Sequence, residues 1–88
     1  MYSLIIQPSL RKKLRRIFKR NRLQHEIIFK KVAEILQNPH HYKNLRAPMQ
    51  FLKRVHIDSS FVLTFSVDEN TRTVTLEDYD HHNNIYQH

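Results

Sequence analysis

Imidazoles and cations hold most of the chemical potential of this 88-residue chain: seven histidines, and fifteen lysines and arginines. There is no cysteine, so neither a thiolate metal site nor a disulfide can form. Four of the histidines come as neighbours, His40-His41 and His81-His82. Adjacent imidazoles suit a metal poorly compared with a pair spaced i, i+4 on a helix. The expectation is therefore no metal and no cofactor. An imidazole not committed to a metal is a proton carrier, because its ordinary pKa of about 6.5 keeps acid and base forms available near neutrality. His56 follows Arg54 by two residues in a strand-like stretch, so both side chains project from one face. Those two residues pair a proton carrier with a phosphate-sized cation.

The charge balance says what such residues would meet. Fifteen basic side chains oppose eight acids, for a net charge of +7 and a pI near 10.1. That excess points to polyanions, or to an acidic protein that masks the charge. It is uneven: Arg11, Lys12, Lys13, Arg15, Arg16, Lys19, Arg20 and Arg22 crowd residues 11 to 22 without one acid, while five of the eight acids fall between Asp68 and Asp80. A charge run is ordinarily a solvated helix face. Its density here favours rRNA or phosphate contact, with Arg11, Lys12, Arg15 and Lys19 as the candidates. A basic amphipathic helix can also lie on an anionic membrane, but its apolar stripe is better used against a sheet, so no membrane partner is expected.

The elements that would position these residues follow from periodicity. Tyr2 to Gln7 reads as a strand ended by Pro8-Ser9, a helix start. Leu10, Leu14, Ile17 and Phe18 make one apolar helical face. After a break at Asn21, a second helix runs from about Leu23 to Gln37 and buries Ile28, Val32, Ile35 and Leu36, until Asn38-Pro39 stops it. Residues 39 to 51 form a loop in which Tyr42 and Phe51 are expected as core or loop anchors. Strands follow at 52–57, at 61–67 with clean alternation, and at 72–77, joined by turns at Asp58-Ser59-Ser60 and Asp68-Glu69-Asn70. A polar tail runs from Asp78 to His88. With Val55 and Ile57 facing the helices, Arg54 and His56 point to the opposite face, and Lys53 reaches solvent only from a sheet edge. The order β-α-α-β-β-β predicts a single α+β domain over residues 1–88, a two-helix hairpin packed on a mainly antiparallel sheet.

Eighty-eight residues suffice for one compact core. Residues 1 to 7 are too short an apolar run for a signal peptide or a membrane span, and the lack of cysteine fits a reducing cytoplasm. The chain has no glycine, so its turns must use Pro, Asn, Asp and Ser.

Three stretches, in order, resemble the RelE/ParE toxin superfamily, and most of all its YafQ/RelE-type mRNA interferase branch. Lys53-Arg54-Val55-His56-Ile57-Asp58-Ser59-Ser60-Phe61-Val62-Leu63-Thr64-Phe65 is similar to that branch's basic strand with a histidine, an acidic turn and an aromatic–aliphatic strand. Lys43-Asn44-Leu45-Arg46-Ala47 resembles the lead-in before it, and His81-His82-Asn83-Asn84-Ile85-Tyr86 the closing motif. The resemblance implies the toxin of a type II toxin–antitoxin pair, a metal-independent endoribonuclease that cuts mRNA on the ribosome, with rRNA and an acidic antitoxin as partners. It places His56 at the strand histidine, His82 at the C-terminal catalytic position and Tyr86 at the closing aromatic. His56 and His82 would then share the acid and base roles over one exposed face of the sheet. Arg54, Arg46, Lys43 and Lys53 would hold phosphate, and Tyr86 would stack on a base. His81 and Asp58 are further candidates. Three departures stand out: Ser59-Ser60 replaces the Pro-Asp of the turn, Ala47 the lead-in glycine, and Val62 an arginine that many RelE-like proteins use on phosphate.

Two other readings compete. One is a ParE-like inhibitor of DNA gyrase without nuclease residues, which would need neither the histidine pair nor Tyr86. The other is a catalytically decayed RNA-binding relative in which His56 and His82 lie too far apart to share a phosphate. A lone strand histidine is more often a surface residue than a catalyst, and His81-His82 can be simply a polar tail.

Overall fold

The structure, a computed structural model, describes residues 1–85. Strand β1 (Ser3–Ile6) leads at once into helix α1 (Pro8–Arg20). Pro8 opens that helix, where its fixed φ fits and its missing N–H is not needed. Asn21 separates α1 from α2 (Arg22–Gln37), and its side chain caps the second helix by accepting from the Gln24 N–H at 3.1 Å. Asn38-Pro39 ends α2 and starts a single 3-10 turn, Pro39–His41. Three strands complete the sheet, β2 (Lys53–Ile57), β3 (Phe61–Asp68) and β4 (Thr73–His81), and a short helix α3 (His82–Ile85) follows.

The strand order is β1-β4-β3-β2, antiparallel except for the parallel β1–β4 pair. The α+β fold is the one expected. Helices α1 and α2 cover one face through Leu10, Leu14, Ile28, Val32 and Ile35, which pack on Val55, Ile57, Leu63, Phe65, Val74 and Leu76. Strand parity holds in β2: Val55 and Ile57 are buried, Arg54 is half-buried and His56 is exposed.

Three expectations need correction. The stretch from Asp78 is not a polar tail, because β4 continues to His81 and Ile85 of α3 is buried. The reason is a bulge. Thr64 pairs with Asp78 but Phe65 with Leu76, so Glu77 is an extra residue. The bulge shifts the inward set from Val74 and Leu76 to Tyr79 and breaks the alternation by which a strand is recognised. Phe51 is no anchor: it is 67% exposed, while Tyr42 fills that role with its ring edge-on to Phe65 at 5.8 Å. Phe18 stands 43% exposed, lining a groove with Leu14, His25 and Phe29 rather than joining the core. Leu36 keeps its expected place on the buried side of α2, packing partly buried against the core.

Strand β1 is shorter than β4 and leaves the edge of residues 78–80 without a strand partner. Lys13 covers that edge from α1. Its Nζ donates to the Tyr79 carbonyl at 2.8 Å and to Asp78 Oδ1 at 3.1 Å, and lies 3.7 Å from Asp80 Oδ2. The turns manage without glycine. Asp58 and Arg72 take positive φ values of 55° and 50°, and Asp68 Oδ1 accepts from the N–H groups of Asn70 and Thr71. At the far end of the sheet, Glu69 accepts hydrogen bonds from the Tyr2 hydroxyl and the His40 ring, while the Arg72 guanidinium lies 4.3 Å from the Tyr2 ring centre. These contacts hold Glu69 below the usual carboxylate range, the Tyr2 hydroxyl first among the causes.

Candidate nucleic-acid interface

The sheet face away from the helices carries Arg54 and His56 on β2, Val62 and Thr64 on β3, and Asp78 and Asp80 on β4, since residues paired across neighbouring strands share a face. Part of this face is roofed. Leu45, Leu52, Val62 and Ile85 form a second buried cluster, with Met49 against it. The loop between the 3-10 turn and β2 thus supplies one wall and α3 the other. Two successive turns shape the loop, with the Met49 N–H donating to the Arg46 carbonyl and the Leu52 N–H to the Met49 carbonyl, both at 3.0 Å.

Between those walls lies a cleft of about 490 Å³, lined by Asn44, Arg46, Pro48, Met49, Arg54 and Ile85 among others. That volume lies within the range of small-ligand pockets. Its two guanidiniums, Arg46 and Arg54, have no carboxylate at ion-pair distance among the described residues. A guanidinium presents a planar fork of donors that matches phosphate oxygens. His56 stands two residues along β2 from Arg54, about 7 Å by strand rise, exposed and on the same face.

The remaining candidates have distinct positions. Lys43 is exposed beside the cleft, and its carbonyl accepts from the Arg54 N–H at 3.0 Å. Lys53 is committed elsewhere. Its ammonium donates to the Tyr42 carbonyl at 3.1 Å and to Asn44 Oδ1 at 3.0 Å, while Asn44 Nδ2 donates to the Gln50 carbonyl at 2.7 Å. Lys53 therefore fastens the cleft loop to the edge strand. Arg11, Lys12, Arg15 and Lys19 are all exposed along α1, away from the cleft. Asp58 is exposed in its turn, and its charge falls on Tyr79, whose hydroxyl is pushed up chiefly by burial and further by Asp58. Tyr86 lies outside the described residues.

Among the described residues no ring contact joins His56 and His82, and the His82 ring meets His81 instead. Phe61 pairs with His81 on the side of the sheet opposite Val62 and His56. The His82 ring stacks on His81 at 4.7 Å, His81 stands edge-on to Phe61 at 5.9 Å, and Phe61 stacks on Tyr79 at 5.3 Å. His81 Nδ1 accepts from the Asn83 N–H at 3.2 Å, and the His82 N–H donates to the Ser60 carbonyl at 2.8 Å. This ladder of rings engages His82 with His81, an arrangement the sequence hides because only the bulge at Glu77 sets its parity. Asp80 lies beneath α3. Burial works against its charge, but hydrogen bonds from Asn84, from the His81 N–H and from Lys13 outweigh that and leave its pKa lowered.

Sequence reasoning missed Asn44 as the loop's tie and Ile85 as a wall of the cleft. A lone isoleucine in a polar stretch was the available signal for the second. Among the described residues no three His, Cys, Asp or Glu side chains gather as a metal site, and no helix is long and apolar enough to cross a membrane.

Comparison with known proteins adds the following. No protein-family model matches the chain. An uncharacterized protein of Methanosarcina mazei is 60% identical over 86 residues, spanning 98% of this chain and all of that protein. A Methanocaldococcus jannaschii protein named "Putative toxin RelE4" is 58% identical over 87 residues, spanning 99% of this chain and 93% of that protein. Among solved structures, a chain of the intact E. coli RelBE toxin–antitoxin complex superposes with a TM-score of 0.78 at 21% identity, covering 92% of this chain and 96% of that one. A likeness at that identity speaks for the fold.

Proposed function

The chain belongs to the RelE/ParE toxin superfamily, and we propose that it is the toxin of a type II toxin–antitoxin pair, a metal-independent endoribonuclease that cuts mRNA on the ribosome and is silenced by an acidic antitoxin. The observation that carries the reading is the cleft lined by Arg46 of the loop and Arg54 of β2, neither with a carboxylate partner among the described residues, with His56 on the same sheet face as Arg54. RNA cleavage through the 2′-hydroxyl needs a proton acceptor, a proton donor for the leaving 5′-oxygen, and cations on the crowded phosphorane.

Arg46 and Arg54 hold the phosphate, Lys43 adds charge at the rim, and His56 moves a proton. Where many RelE-like proteins have a phosphate-binding arginine, Val62 is fully buried under Ile85 and Leu45, so the phosphate charge is met from the loop and β2 instead. His82 and Tyr86 complete the set in the resemblance. His82 reaches the cleft only by leaving its stack on His81. The cations of α1 grip rRNA and also suit an antitoxin of opposite charge.

The stacking of His82 on His81 favours a second reading, a toxin that binds RNA and blocks translation without cutting it. Induced expression in growing cells separates the readings. Growth arrest with cleaved mRNA that requires His56 and His82 supports the nuclease. Arrest with intact mRNA and stalled translation supports the blocker. SOS induction with intact mRNA and continuing translation supports a gyrase poison and refutes both.

A further inference from the structure

We propose that the groove between α1 and α2 is a second RNA-contact site, stacking an unpaired base of single-stranded RNA on Phe18, with His25 at the base's edge, while Arg11 and Arg15 hold the flanking phosphates. The groove, about 290 Å³, is lined by Leu14, Phe18, His25 and Phe29 with Arg11 and Arg15 at its rim. Its rings are already ordered for stacking. His25 lies on Phe29 at 4.6 Å with 30° between the planes, and Phe18 stands edge-on to His25 at 5.0 Å. The Arg22 guanidinium sits 4.9 Å from the Phe18 ring centre, a cation–π contact that places a further cation beside this exposed ring.

Charge argues for a polyanion. Of the eight cations from Arg11 to Arg22, only Lys13 has a carboxylate partner among the described residues. Repelling cations around an aromatic groove are the combination by which proteins hold single-stranded RNA, where rings take bases of any sequence and cations track the backbone. Size argues for a base. The groove spans two turns of α1, from Arg11 to Phe18, whereas a docked helix needs anchors over more of its length. The inference rests on the reading of this chain as RNA-directed, but not on cleavage at the cleft.

Fluorescence anisotropy with a labelled, 2′-O-methylated RNA decamer, which cannot be cut, tests it on the full chain. Phe18→Ala should weaken binding about 5-fold to 100-fold without changing the salt slope, and Phe18→Trp should restore it. Arg15→Gln should lower the slope by about 0.7. Phe18 is exposed, so these variants should fold, as circular dichroism will verify. Affinity within twofold of wild type in Phe18→Ala, with loss only in Arg54→Gln, overturns the groove and leaves the cleft standing. Loss in Phe18→Ala with Arg54→Gln unaffected supports the groove and counts against the cleft. Failure of the unaltered chain to bind the decamer overturns the groove, and mRNA cleavage in a translation mixture would then judge the cleft by itself. A Phe18→Ala variant that binds RNA normally but loses an acidic partner protein also overturns the proposal.

Discussion

Replacing Lys53 with Met separates two roles that a basic residue on this strand can have. As a fastener, the ammonium makes hydrogen bonds of 3.1 Å to the Tyr42 carbonyl and 3.0 Å to Asn44 Oδ1. Bonds to a charged group are each worth about 1.5–3 kcal/mol when shielded; here the site is only half-buried, and water replaces much of what is lost. About 1.5 kcal/mol in total is the reasoned cost, which for a domain of this size lowers Tm by roughly 6–12 °C. The methionine keeps the apolar stem, so packing along β2 survives. Scanning calorimetry reads the Tm, and a salt titration of RNA binding reads the charge. The fastener account expects the Tm to fall with the salt slope unchanged. An unchanged Tm with a slope smaller by about 0.7 would mean that Lys53 meets phosphate directly, and the reasoning about the loop would be wrong.

Three further outcomes are expected. Ile85→Ala empties a buried position, 6% exposed, in the cluster with Leu45, Leu52 and Val62; it should cost about 2 kcal/mol in urea unfolding and weaken RNA binding at the cleft as its wall loosens. Glu69 and Asp80 have pKa values lowered in the folded state, so their stabilisation is complete above the ordinary carboxylate range and is lost as pH falls through the lowered values. Glu69→Gln should flatten the acid limb of a pH–stability curve, and an acid limb identical to wild type would contradict this. Asp58 holds φ at 55°; Asp58→Gly should leave the Tm unchanged or raise it, while Asp58→Val should destabilise by about 1–2 kcal/mol, as read by thermal melting.

Much of the fold was legible because its signals are local. The i, i+4, i+7 spacing of Leu10, Leu14 and Ile17 and the alternation of β3 needed no distant partner to be read. The outward aim of Arg54 and His56 followed from the same parity and holds in the structure. What escaped depended on long-range events. One extra residue at Glu77 reversed the parity of the last strand, so Tyr79 and His81 turned toward Phe61, and the His82 ring stacks on His81. Nothing within the tail itself signals a bulge whose partner is Thr64. The fastening bonds of Lys53 were hidden in the same way. A lysine is read by its charge, while its bonds to Tyr42 and Asn44 exist only once the loop folds back on the edge strand. Phe51, apolar but exposed, shows that a large hydrophobe in a loop is not by itself an anchor.

The central claim concerns the two guanidiniums and the imidazole on the roofed face of the sheet. Primer-extension mapping of mRNA breaks in a purified, magnesium-containing translation mixture tests it most directly, comparing the unaltered chain with the Arg54→Gln/His56→Ala variant. The account predicts discrete breaks with the first protein and a rate lower by on the order of 10²–10⁴ with the second. Breaks of equal intensity from both proteins would contradict it.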